Sequence, residues 1–160
     1  MKLIFLDIDG VLNSERYIHD EHARTGKCMG GSVVEMIDLS ALRELERICV
    51  ETGARIVVSS CWRIGRTVEE LRKIFDDATF SMPERIIDRT PAPHYGITRG
   101  KEIAKWFEEI RIIPDSFIIL DDDPDMKPYR AHLVKTNWKT GLTPAIADRA
   151  IAQLNEQKTL

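Results

Sequence analysis

Two aspartates, Asp7 and Asp9, follow a short apolar segment and are separated by one residue in the stretch FLDIDGVLN. Side chains alternate along a strand, so both carboxylates can lie on the same side of the backbone at Ile8. Two like charges this close repel each other, and a cation between them removes the repulsion. The pair therefore either faces water or helps to bind a positively charged group.

Two other apolar segments also end in polar residues. Ser59 and Ser60 follow the segment RIVV, and the acidic run from Asp121 to Asp123 follows FIIL. In parallel α/β sheets, binding sites lie beyond the carboxyl ends of the strands, near the point where the strand order reverses. If the three segments are neighbouring strands, their polar residues meet in one crevice.

The chemistry that this crevice favours is phosphoryl transfer with a metal ion. Asp7, Asp9 and a carboxylate of the 121–123 run supply hard oxygen ligands, which suit Mg²⁺ together with water and a substrate phosphate. One aspartate is then able to attack the phosphate and form an aspartyl-phosphate intermediate, while the other protonates the leaving oxygen and later activates water. The hydroxyl and backbone N–H groups around Ser59 and Ser60 are expected to hold phosphate oxygens, with a cation from the next helix start balancing the remaining charge.

Strands and helices are predicted to alternate along the chain, which indicates a parallel sheet with helices on both faces. We predict a Rossmann-like three-layer α/β/α sandwich with about five strands, in a single domain over residues 1–160. The segment 13–35 is predicted to be a loop, because it is polar and contains Gly30 and Gly31. The strands are predicted at residues 3–6, 55–58, 85–88, 117–120 and 131–134, and helices are predicted to begin near residues 40, 67, 100 and 144.

Composition narrows the class of protein. The 160 residues are 43% hydrophobic and 31% charged with a net charge of -3, as in globular domains without a broad attraction for nucleic acid or anionic membranes. No apolar run approaches the length of a membrane span, and the N-terminus lacks the features of a signal peptide. Three cysteines (Cys28, Cys49 and Cys61) do not suggest a disulfide framework, so a cytoplasmic location is expected. Cys61 has no arginine six residues later, as a cysteine phosphatase requires, and no P-loop motif is present.

The order and spacing of these motifs resemble the haloacid dehalogenase superfamily of phosphohydrolases over nearly the whole chain. The resemblance implies that Asp7 of DIDG is the nucleophile and that Asp9 is the general acid and base. It also implies that the Asp7 carboxylate and the Asp9 backbone carbonyl bind Mg²⁺. Ser59 matches the second motif, whose residue binds the phosphoryl group. An aspartate at position 9 implies phosphatase rather than dehalogenase activity.

The third and fourth motifs are carried by TRGKEI and LDDDPD. The family's third motif is normally a lysine at a helix start, and here either Arg99 or Lys101 could supply the cation, with Arg99 slightly favoured. By likeness to relatives, Asp122 is the direct metal ligand, and Asp121 supports the metal site.

A narrower similarity is to the small domain of Swiss-army-knife RNA repair proteins and their stand-alone relatives. It is carried by the segments DIDGVLN, SSCWR, RGKEIAKWF, ILDDD and TNWKTGLT. The resemblance implies that Trp62 and Arg63 lie at the mouth of the crevice, where Trp62 stacks on a base or sugar and Arg63 contacts a second substrate group. The substrate-binding candidates are Gly10, Ser60, Trp62 and Arg63.

The gaps between motifs do not house a folded cap domain, although the 13–35 segment could act as a small flap. Capless members of the superfamily resemble enzymes that act on large substrates such as nucleic acid ends, or they close the site by oligomerising. Three functions stay open at this point: a phosphatase for nucleic acid ends or other large substrates, a phosphatase for small metabolites or nucleotides, and a non-catalytic module that binds phosphate or a partner. The sequence leaves the oligomeric state undetermined.

Overall fold

Five parallel strands form one sheet in the computed structural model, which describes residues 1–26, 32–92 and 96–156. The order of the strands across the sheet is β3-β2-β1-β4-β5. The strands are β1 (Lys2–Leu6), β2 (Arg55–Val58), β3 (Ile86–Arg89), β4 (Ser116–Asp121) and β5 (Leu133–Lys135). The predicted α/β fold with a five-stranded parallel sheet is confirmed.

Alternating side chains of the strands build a separate apolar core on each face of the sheet. Ile4 and Leu6 pack with helices α2, α3 and α5, whereas Leu3 and Phe5 pack with α4, including its buried Trp106. The helices are α1 (Glu15–Thr25), α2 (Leu39–Thr52), α3 (Val68–Asp77), α4 (Arg99–Ile110) and α5 (Pro144–Glu156). Burial on both faces explains why the strands are continuous apolar runs rather than alternating ones.

The strand order reverses at β1, and this reversal positions the site. The chain moves from β1 outward through β2 to β3, and then returns to the other side of β1 for β4 and β5. Leu6 at the end of β1 pairs with Val58 of β2 and with Leu120 of β4, so the three strands end at the same level. The residues that follow them therefore converge at one edge of the sheet.

The loop predicted over residues 13–35 is wrong for residues 15–25, which form helix α1. The Ser14 side chain caps the helix by accepting a hydrogen bond from the Tyr17 N–H at 3.1 Å, and Gly26 ends the helix in the left-handed conformation. No residue of α1 is buried, so the helix lacks the apolar stripe by which most surface helices are recognised. Residues 27–31 of the predicted loop lie outside the described residues.

Within the described ranges, no additional folded unit covers the site. The segments between the first and third motifs contain helices α1 to α3, strand β3 and short 3₁₀ turns. Thr67 and Glu70 form a capping box at the start of α3, which was predicted to begin near residue 67. Among the described residues, no helix is both long enough and apolar enough to cross a membrane.

Candidate active site

Three carboxylates converge beyond the ends of β1 and β4. Asp7 directly follows β1, Asp121 is the last residue of β4, and Asp122 follows it. Each offers an oxygen, and these oxygens all lie within 4.8 Å of one another. Asp7 and Asp121 are almost completely buried, so their charges are poorly solvated. The cluster requires compensating positive charge.

Arg99, the first residue of α4, supplies part of that charge. Its Nη1 lies 3.2 Å from Asp7 Oδ1 and 3.3 Å from Asp121 Oδ2. Burial alone would lower the pKa of Arg99, but the charges of Asp7 and Asp121 outweigh burial and raise the pKa. Lys101 does not reach this cluster: it is exposed and lines a different cavity with Lys105 and Glu108. Of the two candidates for the third-motif cation, the structure brings Arg99 to the acidic cluster and leaves Lys101 away from it.

One guanidinium does not neutralise three carboxylates. Burial and the neighbouring charge of Asp7 raise the pKa of Asp121 to about 7, and the same two causes raise the pKa of Asp122. The Asp121 Oδ2 atom is buried and has no hydrogen-bond partner among the described residues, although it forms an ion pair with Arg99 at 3.3 Å. A cluster of hard carboxylate oxygens with too little compensating positive charge fits a divalent cation.

Gly10 allows Asp122 to approach the first motif. Gly10 has a φ of 75°, and a Cβ at this position would lie 2.6 Å from the Asp122 Cγ atom. The Gly10 N–H donates to Asn13 Oδ1 at 3.0 Å, and its carbonyl accepts from the Thr136 hydroxyl at 2.8 Å. Both backbone groups of Gly10 are therefore engaged inside the protein, where they shape the turn, and its contact with substrate stays a prediction.

Ser59 and Ser60 follow β2 but differ in what they offer. The Ser59 hydroxyl is buried and has no hydrogen-bond partner among the described residues, so it remains available to a phosphate oxygen. The Ser60 hydroxyl accepts from the Trp62 N–H at 3.3 Å and caps the 3₁₀ turn of residues 61–63. The backbone N–H groups of both serines donate to the Leu6 carbonyl. Of the N–H groups expected to bind phosphate, these two are therefore already engaged.

The Asp9 carboxylate is surrounded by hydrogen-bond donors. Asn13 Nδ2 donates to Asp9 Oδ1 at 2.9 Å, and Trp62 Nε1 lies 3.3 Å from Oδ1 and 3.2 Å from Oδ2. The Cys61 thiol lies 3.5 Å from Oδ2. Trp62 is only 8% exposed and its indole N–H is directed at Asp9, which leaves little of the ring accessible for the predicted stacking on a base or sugar.

The Cys61 thiol is not suited to be a nucleophile in this site. Partial burial and the negative charge of Asp9 raise the pKa of Cys61. A raised pKa keeps the thiol protonated, whereas the thiolate is the reactive form. The structure thus agrees with the sequence argument against cysteine-based phosphatase chemistry.

Arg63 lies in the wall of the crevice rather than free at its mouth, and its contact with a substrate group stays a prediction. Its side chain is almost completely buried, and all of its nitrogen atoms donate hydrogen bonds within the protein. Its partners are the carbonyl oxygens of Ser59, Ser60, Thr90 and Pro91 and the carboxylate of Glu102. The guanidinium thus ties the end of β2 to α4.

A cavity of about 280 Å³ opens beside the acidic cluster. Arg99 and Cys61 line it together with Ile64 and Ile97, which are 50% and 37% exposed. Exposed isoleucines at the rim of a charged cavity offer apolar contact to the part of a ligand that extends beyond its charged group.

Sequence reasoning missed three residues of the site. Asn13 contacts Asp9, Thr136 secures Gly10, and Glu102 lies 2.7 Å from Arg63 and 3.8 Å from Arg99. Glu102 stands three residues after Arg99 on α4, a spacing that brings helical side chains together. That spacing could have predicted the contact between Glu102 and Arg99, whereas no local sequence pattern indicates that Thr136 belongs to the site.

A parallel sheet with carboxylates at the ends of β1 and β4 and a cation at the start of the following helix defines the class of haloacid dehalogenase (HAD) domains. The model of one HAD family, described as the HAD domain in Swiss Army Knife RNA repair proteins, matches residues 3–147. The chain belongs to this family, which suggests phosphatase-type activity. Searches of curated proteins and of solved structures give no significant match.

Proposed function

We propose that the protein is a Mg²⁺-dependent phosphatase that hydrolyses a phosphomonoester through an aspartyl-phosphate intermediate. The observation that carries the proposal is the convergence of Asp7, Asp121 and Asp122 with Arg99 at the reversal of the strand order. The Ser59 hydroxyl supports it, because β2 ends beside β1 and this hydroxyl has no hydrogen-bond partner in the part of the chain that the structure describes.

The proposed reaction has two steps. In the first, an Asp7 carboxylate oxygen attacks phosphorus, the bond between phosphorus and the leaving oxygen breaks, and Asp9 gives that oxygen a proton. In the second, Asp9 takes a proton from water, whose oxygen attacks phosphorus while the bond to Asp7 breaks. Inorganic phosphate leaves, and both aspartates return to their starting forms. Arg99 and Ser59 stabilise the charge on the transferring group.

The metal would be held by Asp7, by the backbone carbonyl of Asp9 and by Asp122. We favour Asp122 over Asp121 as the direct carboxylate ligand because Asp121 already forms an ion pair with Arg99, whereas no ion pair is found for Asp122 among the described residues. When bound, the cation neutralises the phosphate and lowers the repulsion against an attacking carboxylate.

For the substrate, we propose a phosphate carried by a large molecule such as a nucleic acid end. The family is described by its occurrence in RNA repair proteins, and no folded cap closes the site within residues 1–26, 32–92 and 96–156. A small metabolite or nucleotide would be the alternative substrate. We propose a cytoplasmic location, in keeping with the free thiols of Cys49 and Cys61.

The proposal is tested by hydrolysis of p-nitrophenyl phosphate, followed by a panel of nucleotides, sugar phosphates and phosphorylated oligonucleotide ends. We expect activity that requires Mg²⁺ and stops on chelation with EDTA. We expect Arg99→Leu to lower kcat/KM by about 10²–10³-fold, because it removes a charge from the transition state. Lys101→Leu is the matched control on the same helix, and its activity on p-nitrophenyl phosphate should stay near that of the wild type.

Two results would count against this reading. Equal losses of kcat/KM in the Arg99→Leu and Lys101→Leu variants would show that Arg99 is not the cation that stabilises the transferring group. Absence of Mg²⁺-dependent hydrolysis of every substrate in the panel would favour the alternative of a non-catalytic module that binds phosphate.

Mg²⁺ binding is expected to weaken as the pH falls. Because the pKa of Asp121 is raised to about 7, a proton competes with the cation for this cluster at lower pH. The raised pKa of Asp121 also lowers the stability of the metal-free fold as the pH rises from about 4 to about 7, because over this range the carboxyl group ionises more readily in the unfolded chain than in the fold. A bound cation offsets that loss of stability. We therefore expect Mg²⁺ to raise the Tm more at about pH 8 than at about pH 5.5.

The measurement is thermal unfolding with and without Mg²⁺ at the two pH values. Asp122→Asn should greatly reduce the Mg²⁺-induced rise in Tm. Asp76→Asn, on the exposed side of α3, is the matched control and should keep the full rise. A rise in Tm that is equal at both pH values would contradict the assignment of the acidic cluster as the metal site.

A further inference from the structure

Donors from two separate segments hold the Asp9 carboxylate. Asn13 reaches it from the turn that follows β1, and Trp62 reaches it from the 3₁₀ turn that follows β2. A carboxylate has about four acceptor positions on its two oxygens. With Asn13, Trp62 and the weaker Cys61 donor in place, few positions remain, so the orientation of Asp9 is defined by its surroundings.

Asn13 is itself fixed. Its side chain is 1% exposed, and its Oδ1 accepts the Gly10 N–H at 3.0 Å, which directs the amide NH₂ group toward Asp9. The Asn13 backbone N–H donates to the Ile8 carbonyl at 3.3 Å, so the turn that carries it is closed on the strand end. Asn13 therefore links the backbone of the first motif to the Asp9 side chain.

Trp62 is fixed in a different way. The indole N–H is its only polar side-chain group, and it is directed at Asp9 from a ring that is otherwise buried in the core. Its backbone N–H donates to the Ser60 hydroxyl, and Arg63 binds the carbonyl groups of Ser59 and Ser60. The donor to Asp9 is thus anchored by the same network that orders the end of β2.

We propose that Asn13 and Trp62 are positioning residues that hold the Asp9 carboxyl group in the orientation from which it transfers a proton to the leaving oxygen. This inference rests on the proposed phosphatase function. Neither residue needs to contact the substrate for this role. Their effect is exerted through Asp9, in the step where the bond between phosphorus and the leaving oxygen breaks and that oxygen accepts both the electron pair and a proton.

A positioning role predicts a loss that depends on the leaving group. A nitrophenolate leaves readily without a proton, whereas an alkoxide depends on the general acid. kcat/KM covers the steps up to the first release of product, so it reports this bond cleavage even if hydrolysis of the phosphoenzyme is slow. A general loss of structure would instead lower kcat/KM for all leaving groups alike.

The experiment compares p-nitrophenyl, phenyl and benzyl phosphate, three substrates of similar size. For Trp62→Phe, which removes the N–H but keeps an aromatic ring, we expect kcat/KM to fall about tenfold for benzyl phosphate and less than about twofold for p-nitrophenyl phosphate. Phenyl phosphate should lie between them. Trp138→Phe is the matched control, since Trp138 is exposed and makes no side-chain contact with Asp9.

Asn13→Leu provides a second, independent variant, should Trp62→Phe fail to fold. It removes the other donor, and also the acceptor of the Gly10 N–H, while keeping the number of side-chain heavy atoms. It should show the same order of losses across the three substrates. Equal losses for all three substrates in both variants, or no loss in either, would overturn the positioning role while leaving the phosphatase function intact. If the wild type hydrolyses none of the substrates, the proposed function fails, and the inference fails with it.

Discussion

Asp7→Asn is expected to lower the rate of p-nitrophenyl phosphate hydrolysis by at least about 10⁴-fold. The asparagine side chain has nearly the same shape, but its amide oxygen is a poor nucleophile and does not form an acyl phosphate. The loss should appear in kcat. In an acid quench with ³²P-labelled substrate, the wild type should retain label on the protein, and Asp7→Asn should retain none.

The control is the matched change Asp20→Asn on helix α1, away from the acidic cluster, which should keep wild-type activity. Full Mg²⁺-dependent activity of Asp7→Asn would show that the nucleophile has been misassigned. Retained activity without retained label in the wild type would point instead to direct attack of water on the substrate.

Arg63→Met is expected to lower the free energy of unfolding by about 3–5 kcal/mol. Methionine fills the space with an apolar side chain of similar length, but the buried Glu102 carboxylate loses its closest partner. In the wild type, the Arg63 Nη2 atom lies 2.7 Å from Glu102 Oε2. The substitution also removes the donors to the carbonyl groups at the end of β2. Unfolding in urea, followed by circular dichroism, measures the change. Arg63→Lys should also be destabilising, because an ammonium group cannot reproduce the planar set of five donors.

Arg66→Met is the matched control, because Arg66 donates one hydrogen bond, to the Trp62 carbonyl, and is only partly buried. Arg66→Met should lower the free energy of unfolding far less than Arg63→Met does. Combining Arg63→Met with Glu102→Leu should restore part of the lost stability, since the unpaired buried charge is removed together with its partner. A small effect of Arg63→Met, similar to that of the control, would show that water or other groups replace its hydrogen bonds at little cost.

The sheet could be predicted from sequence because its signals are local. Buried parallel strands are continuous apolar runs, and a capping box or a glycine marks where the helices begin or end. Once the sheet was predicted, the rule for its carboxyl edge brought Asp7, Asp121 and Asp122 together without further information. Helix α1 could not be recognised by the same means, because none of its side chains is buried.

The contacts of the site were harder to predict, since they depend on partners distant in sequence. Arg99 and Lys101 are two residues apart, which places their side chains about 200° apart around a helix. Only one of them can face the sheet, and the helix start alone does not say which. The burial of Arg63 could not be predicted, because four of its partners are backbone carbonyl groups, which leave no trace in residue type. Trp62 is similar: its indole partner, Asp9, lies 53 residues earlier in the chain.

Helix α1 has no fully buried side chain, and this has a consequence for how the protein unfolds. Tyr17, Ile18 and Glu21 are half-buried and the other side chains of the helix are exposed, so opening it exposes little apolar area and costs less free energy than unfolding the whole domain. The rim formed by the ends of β1, β2 and β4 is different, because Arg63 joins it to α4 and the core lies directly beneath it. We therefore expect helix α1, which begins two residues after Asn13, to open locally under conditions in which the rim stays folded.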